Sequence, residues 1–163
     1  MLMLGAGSKI VELVPSGVGG AVKNGINISL KNVNKAEIWC FNRKGADATQ
    51  CTWTLAQSSG NAGSASGTGE KAMTDSVPIR YSDGYDTDSD LTAATAAKSY
   101  QQAVTQSVTQ VVVFTIVPSE CMDIANGFDC ITVNSTDPGA ANSVHAVALL
   151  DCAYDPIPDV FTD

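Results

Sequence analysis

From residue 26 the chain alternates apolar and polar positions with period two. Ile26, Ile28 and Leu30 are separated by Asn27, Ser29 and Lys31, the pattern of a strand with one face in a core and the other in water. Ala36, Ile38 and Cys40 then share one side of a second segment, and Trp39 and Phe41 share the other. Apolar residues on both faces predict a central strand or a covered face. Cys51, Trp53 and Leu55 alternate with Thr52, Thr54 and Ala56 in a third, and the short polar linker before it predicts a hairpin between the second and third strands. Further strands are expected over 77–81, 106–117, 128–133 and 144–150. Pro78 assigns the first of these to a sheet edge. Pro118 ends the 106–117 strand, and Ser119 is placed to cap one helical turn over 119–123. Asn32-Val33-Asn34, Asn126-Gly127 and Asp137-Pro138-Gly139 supply turns.

Three stretches lack this alternation. Residues 91–102 set the helix preference of Ala93, Ala94, Ala96 and Ala97 against the strand preference of Thr92 and Thr95, and are expected to be irregular or a short helix. Residues 57–70 form a Ser/Gly-rich loop with no residue that anchors a core; loops of this length are usually functional or mobile. Residues 1–25 read as an N-terminal arm. Met1-Leu2-Met3-Leu4 is apolar, Gly5 and Gly7 break it, residues 9–14 have the character of one strand, and 15–20 are too rich in glycine to hold regular structure. The chain from Asp151 onward carries four Asp, no base, Pro156 and Pro158, and is expected to be extended. The whole is therefore an all-β protein: an antiparallel β-sandwich or jelly-roll-like domain over 26–150, with an arm at 1–25 and an acidic tail at 151–163. An open barrel is the alternative.

Composition narrows the function classes. Charged residues make up 16 % of the 163 and the net charge is −8. A chain 44 % hydrophobic is too apolar for intrinsic disorder, and no apolar stretch approaches the ~20 residues of a helical membrane span. The negative surface repels phosphate backbones and anionic lipid, so neither nucleic acid nor membrane is an expected partner. A basic protein surface is a better match. The five cysteines, Cys40, Cys51, Cys121, Cys130 and Cys152, include no CxxC pair, and no secretory leader is evident at the start. They are expected to be reduced and packed as small apolar side chains.

Candidate chemistry is sparse. Asp86-Thr87-Asp88-Ser89-Asp90 begins like a calcium loop, but the positions that require Gly and Glu hold Leu91 and Ala97; a looser site would use Asp83, Asp86, Asp88 and Asp90. Gly67-Thr68-Gly69-Glu70-Lys71-Ala72 matches a dinucleotide pattern in letters only, with a Ser/Gly loop where a strand is needed. His145 is the one imidazole that could serve a nucleophile, and its place in a strand favours a structural role. Trp39, Phe41 and Trp53 are able to stack on a ligand, although their spacing suits core packing better. The Asn27-Ile28-Ser29 and Asn134-Ser135-Thr136 sequons carry little meaning without a leader. No catalytic, cofactor-binding or metal-binding residue is assigned, and no enzyme activity or cofactor is expected.

The segments Leu30-Lys31-Asn32-Val33-Asn34-Lys35-Ala36, Val112-Val113-Phe114-Thr115-Ile116-Val117-Pro118 and Asn126-Gly127-Phe128-Asp129-Cys130-Ile131-Thr132-Val133 resemble small structural proteins of tailed bacteriophages. They are similar to the capsid decoration, or cement, proteins encoded near the major capsid protein. The resemblance spans residues 8–150; 99–110 and the acidic tail depart from it. It implies a β-sandwich with no enzyme activity and no cofactor. It also implies a place on the capsid exterior, with the host cytoplasm as site of assembly. The implied partners are the major capsid protein and other copies of the chain, as a dimer or trimer. Leu2, Leu4, Ile10, Val11 and Leu13 are then the expected capsid contacts, supplemented by strand addition. Another phage component (a tail or connector subunit), a carbohydrate- or receptor-binding module using Trp39 or Trp53, and a small hydrolase built on His145 are the alternatives.

Overall fold

The computed structural model describes residues 7–60, 62–65, 67–84, 90–104 and 107–153. Leu2, Leu4, Asp86, Asp88 and the tail from 154 lie outside the described residues. In chain order the strands are β1 (Ser8–Val18), β2 (Lys23–Asn24), β3 (Ile28–Ser29), β4 (Val33–Arg43), β5 (Thr52–Ser58), β6 (Lys71–Ala72), β7 (Val77–Ser82), β8 (Thr92–Ala97), β9 (Ser99–Gln101), β10 (Thr109–Ile116), β11 (Cys130–Ser135) and β12 (Ser143–Cys152). One helical turn, α1 (Pro118–Cys121), and a 3-10 turn over Ile124–Asn126 lie between β10 and β11.

Every strand pairing is antiparallel. The first sheet runs β1-β12-β4-β10-β7-β8. The second runs β2-β11-β5-β6, with β3 also on β11 and β9 also on β5. Ile38, Cys40, Val112, Phe114, Ala146 and Ala148 of the first sheet share one buried core with Trp53, Leu55, Ile131 and Val133 of the second. The expected all-β sandwich is the observed fold.

Local details differ from expectation for identifiable reasons. Residues 8–18 form the edge strand of the first sheet, paired with β12 from Ser8↔Asp151 to Val18↔Ser143. Pro15 and Gly17 are accommodated because the register shifts between Glu12 and Val14 and again before Gly17; such bulges are where an edge strand tolerates both residue types. Pro78 does not mark an edge, since β7 lies between β10 and β8. The β8 register shifts between Val77 and Ile79 and the β10 ladder ends at Ile79, so neither ladder needs an N–H from Pro78. β4 and β5 belong to different sheets and form no hairpin, because β4 takes long-range partners on both sides, β10 and β12. Residues 92–97 are a strand, the outer edge of the first sheet. There pairing with β7 overrides alanine's helix preference, as tertiary context commonly does. Pro118 occupies the first turn of α1, and Ser119 lies inside the turn instead of capping it.

Candidate docking surfaces

Both ends of the described chain meet at one end of the sandwich. The Gly7 carbonyl accepts from the Cys152 N–H at 2.9 Å, and the Ala153 N–H donates to the Asn32 carbonyl at 2.7 Å. Asn32 sits in a tight turn closed by the Val33 N–H on the Leu30 carbonyl at 3.0 Å. Its φ of 65° is a left-handed conformation that Asn tolerates better than most non-glycine residues. The Leu30 N–H donates to the Asp129 carbonyl at 2.7 Å, which ties this turn to the segment before β11. Gly127, at φ 82°, ends the 3-10 turn.

The three segments that carry the phage resemblance converge here. Leu30, Asn32 and Val33 from the first, Pro118 from the second, and Gly127 and Asp129 from the third line one cleft of about 480 Å³. Ile124 also lines it and is 41 % exposed. The cleft is mostly apolar, with Lys31 and Asp129 as its charged members.

Of the five expected contact residues, three are described. Leu13 is 0 % exposed and belongs to the core, so it is not a partner contact. Alternation explains this: Leu13 lies two residues from Val11 on the core-facing side, and the bulge between Glu12 and Val14 adds Val14 to the same core. Val11 is half-buried and packs on the core. Ile10 alone faces outward, at 56 % exposed.

The outer face of the first sheet is largely covered: Val111, Val113 and Glu37 on it are 0 %, 1 % and 2 % exposed. Along β4, Glu37, Trp39, Phe41 and Arg43 point away from the core residues Ile38 and Cys40. In register, Trp39 lies between Val147 of β12 and Val113 of β10, and Phe41 between His145 and Val111. Trp39 and Phe41 stack with ring centroids 6.3 Å apart, and Phe41 stacks on His145 at 6.2 Å. Both aromatic residues are half-buried on this face and do not pack in the core, whereas Trp53 is a core residue whose indole N–H donates to Gln102 Oε1 at 3.1 Å. His145 Nε2 lies 3.1 Å from Glu12 Oε1, and among the described residues no cysteine or serine side chain is hydrogen-bonded to it. Glu37 pairs with Lys35 at 3.0 Å and approaches Arg80 at 3.9 Å. Burial pushes the Glu37 carboxyl up, but the Lys35 hydrogen bond and charge outweigh that and hold it below its ordinary range.

Sequence pattern did not reveal a set of buried polar side chains that hold the loops. Asn27 is 0 % exposed; its Nδ2 donates to the Ser64 carbonyl at 3.0 Å, and its Oδ1 accepts from Ser58 Oγ at 2.8 Å. The Ser/Gly loop is therefore fastened to the domain, and the Asn27 sequon is inaccessible. Gln57 Nε2 reaches the Ala72 carbonyl at 2.9 Å while its Oε1 accepts the Asp123 N–H at 2.8 Å. The only available signal was an Asn or Gln at a strand position that would otherwise be apolar. All five cysteines are free. Burial raises the thiols of Cys40, of Cys51 (to about 12), and of Cys121 and Cys130 (each to about 11), which makes them poor nucleophiles. Among the described residues no group of three or more His, Cys, Asp or Glu is placed to hold a metal; the looser calcium set lies partly outside those residues.

No family model matches the chain, and no curated protein matches it in sequence. Among solved structures it matches the crystal structure of the SPBc2 prophage-derived protein YomS, with TM-score 0.49 and 7 % identity over 92 % of this chain and 97 % of that one.

Proposed function

We propose that this chain is a structural protein of a bacteriophage particle, a decoration protein that binds the assembled lattice of the major capsid protein without chemistry. The observation that carries the reading is the convergence of the three resembling segments on one apolar cleft, at the end of the sandwich where both ends of the described chain also lie. Apolar Met1-Leu2-Met3-Leu4 continues from that end in sequence. The partner is a less acidic or basic capsid surface, since the chain carries −8. Strand addition at the open side of β1 supplements it. A protein that binds the assembled shell better than free subunits stabilises the shell by mass action.

The test is to mix the purified protein with expanded, undecorated capsids, then measure co-sedimentation and the temperature at which the shells rupture. The expected result is saturable binding with a higher rupture temperature, both weakened by Ile124→Asp. Failure to co-sediment under any salt condition removes the proposal.

A further inference from the structure

We infer that Asn126-Gly127 is a self-modifying site at the rim of the apolar cleft, where the Gly127 backbone nitrogen closes on the Asn126 side chain and converts its amide to an acid. The conversion is independent of any partner; only its effect on docking rests on the role proposed for the cleft.

The reaction needs nothing but water. The Gly127 nitrogen loses its proton and attacks Cγ of Asn126. A C–N bond forms and closes a cyclic imide, the Cγ–Nδ2 bond breaks, and Nδ2 leaves with that proton as ammonia. Water then adds to either imide carbonyl. Breaking the new Cγ–N bond gives aspartate; breaking the original backbone C–N bond gives isoaspartate, whose main chain runs through Cβ and Cγ.

The sequence holds two Asn-Gly pairs, Asn24-Gly25 and Asn126-Gly127, and a following glycine leaves the attacking nitrogen least hindered. The fold treats the two differently. Asn24 lies in β2, paired with Asn134 of β11. The Gly25 N–H donates to the Val133 carbonyl at 3.1 Å and to Asn134 Oδ1 at 3.2 Å, and the Gly25 carbonyl accepts from Thr132 Oγ1 at 2.8 Å. A Cβ on Gly25 would stand 2.4 Å from the Val133 carbonyl oxygen, so this glycine is clamped against the sheet. Ring closure there requires β2 to leave β11.

Asn126 instead ends a 3-10 turn in which no residue is buried. The Gly127 N–H donates inside that turn, to the Ile124 carbonyl at 2.9 Å. Gly127 has φ 82° and open space where a side chain would stand. Both flanks are fastened to β6, because Lys71 Nζ reaches Asp123 Oδ2 at 2.6 Å and lies 3.8 Å from the centre of the Phe128 ring. The turn between them opens without disturbing either sheet, which is the least costly kind of local unfolding.

One contact latches the turn. Asn126 Nδ2 donates to Asp123 Oδ1 at 2.7 Å. The hydrogen bond from Lys71, and after it the one from Asn126, hold the Asp123 carboxyl below its ordinary range, so the acceptor is ionised at neutral pH. Conversion reverses this contact: a carboxylate takes the place of the donor, and two like charges meet. The turn is then released, and with it Ile124 and Gly127, which both line the cleft. Loss of ammonia makes the change one-way.

The experiment is incubation of the full chain in mildly alkaline buffer at physiological temperature, followed by mass-spectrometric peptide mapping and an isoaspartate assay, with circular dichroism to confirm folding of each variant. Wild type is expected to become acid at 126, as a mixture of aspartate and isoaspartate, while Asn24 remains an amide. Asp123→Ala removes the latch and should speed conversion about threefold to tenfold, the worth of an exposed hydrogen bond to a charged group. Asn126→Asp supplies the product without the reaction, and should raise hydrogen exchange at the Gly127 and Phe128 amides with the global transition unchanged. Asn24 converting as fast as Asn126, an amide at 126 that outlasts the incubation, an Asp123→Ala rate equal to wild type, or unchanged exchange in Asn126→Asp would each overturn the inference. No readout here involves shells, so these results and the co-sedimentation result are separable.

Discussion

Replacing Asn27 by Ala removes a side chain that is completely enclosed and makes two hydrogen bonds, to the Ser64 carbonyl and from Ser58 Oγ. Neither partner is left bare. The Ser64 carbonyl still accepts the Asn27 N–H at 2.7 Å, and Ser58 Oγ still reaches the Gly60 carbonyl at 3.3 Å. The cost is therefore two hydrogen bonds at about 1 kcal/mol each plus a small void, about 2–3 kcal/mol in all, and not the larger penalty of an orphaned group. For a domain of this size that lowers Tm by roughly 4–12 °C. Asn27→Asp separates the contributions. It keeps the acceptor for Ser58 but turns a carboxylate toward the Ser64 carbonyl in a dry site, so it should destabilise more than Ala at neutral pH. Burial raises the pKa of that carboxyl in the folded state, so its deficit should shrink as the pH falls. Gly67→Ala attacks the same clasp from the other side, because a Cβ there would collide with Ser58 and crowd Asn27 Oδ1 at 2.9 Å. Thermal and urea denaturation give the stability; limited proteolysis gives the loop. All three variants should expose cleavage within 59–69 before global unfolding. An Asn27→Ala protein with unchanged Tm and an uncut loop would refute the clasp.

Phe114→Ala, at a core position 0 % exposed between the sheets, should cost about 3–5 kcal/mol by urea denaturation, with the slope of the transition unchanged. Native protein should react with a thiol reagent at pH 8 through Cys152 at most, since Cys40, Cys51, Cys121 and Cys130 are buried and raised, with all five reacting in denaturant. Glu37 is held below the ordinary carboxylate value of 4.5. Its contribution is present above that value and is lost as pH falls through the lower folded-state value. Glu37→Gln should therefore flatten the acid limb of the stability curve below about pH 4.5.

Much of the fold was legible because one physical signal dominates it. Strict alternation at Ile38/Cys40 and at Val144/Ala146/Ala148 identifies faces that must be covered, and apolar residues on the far side at Trp39 and Phe41 mark β4 as central. What remained hidden depends on partners distant in sequence. Alternation places β4 and β5 as neighbours in a plausible hairpin, yet Trp39 pairs with Val113 and Val147, and no local pattern encodes that choice. Residues 92–97 become a strand only because β7 offers an edge. Pro78 misleads because a bulge removes the need for its missing N–H. At the candidate surfaces the resembling segments were visible as letters, but their convergence on one cleft is a product of topology. Leu13 and Ile10 share apolar character, but at a spacing of three they fall on opposite faces of β1, Ile10 outward and Leu13 in the core.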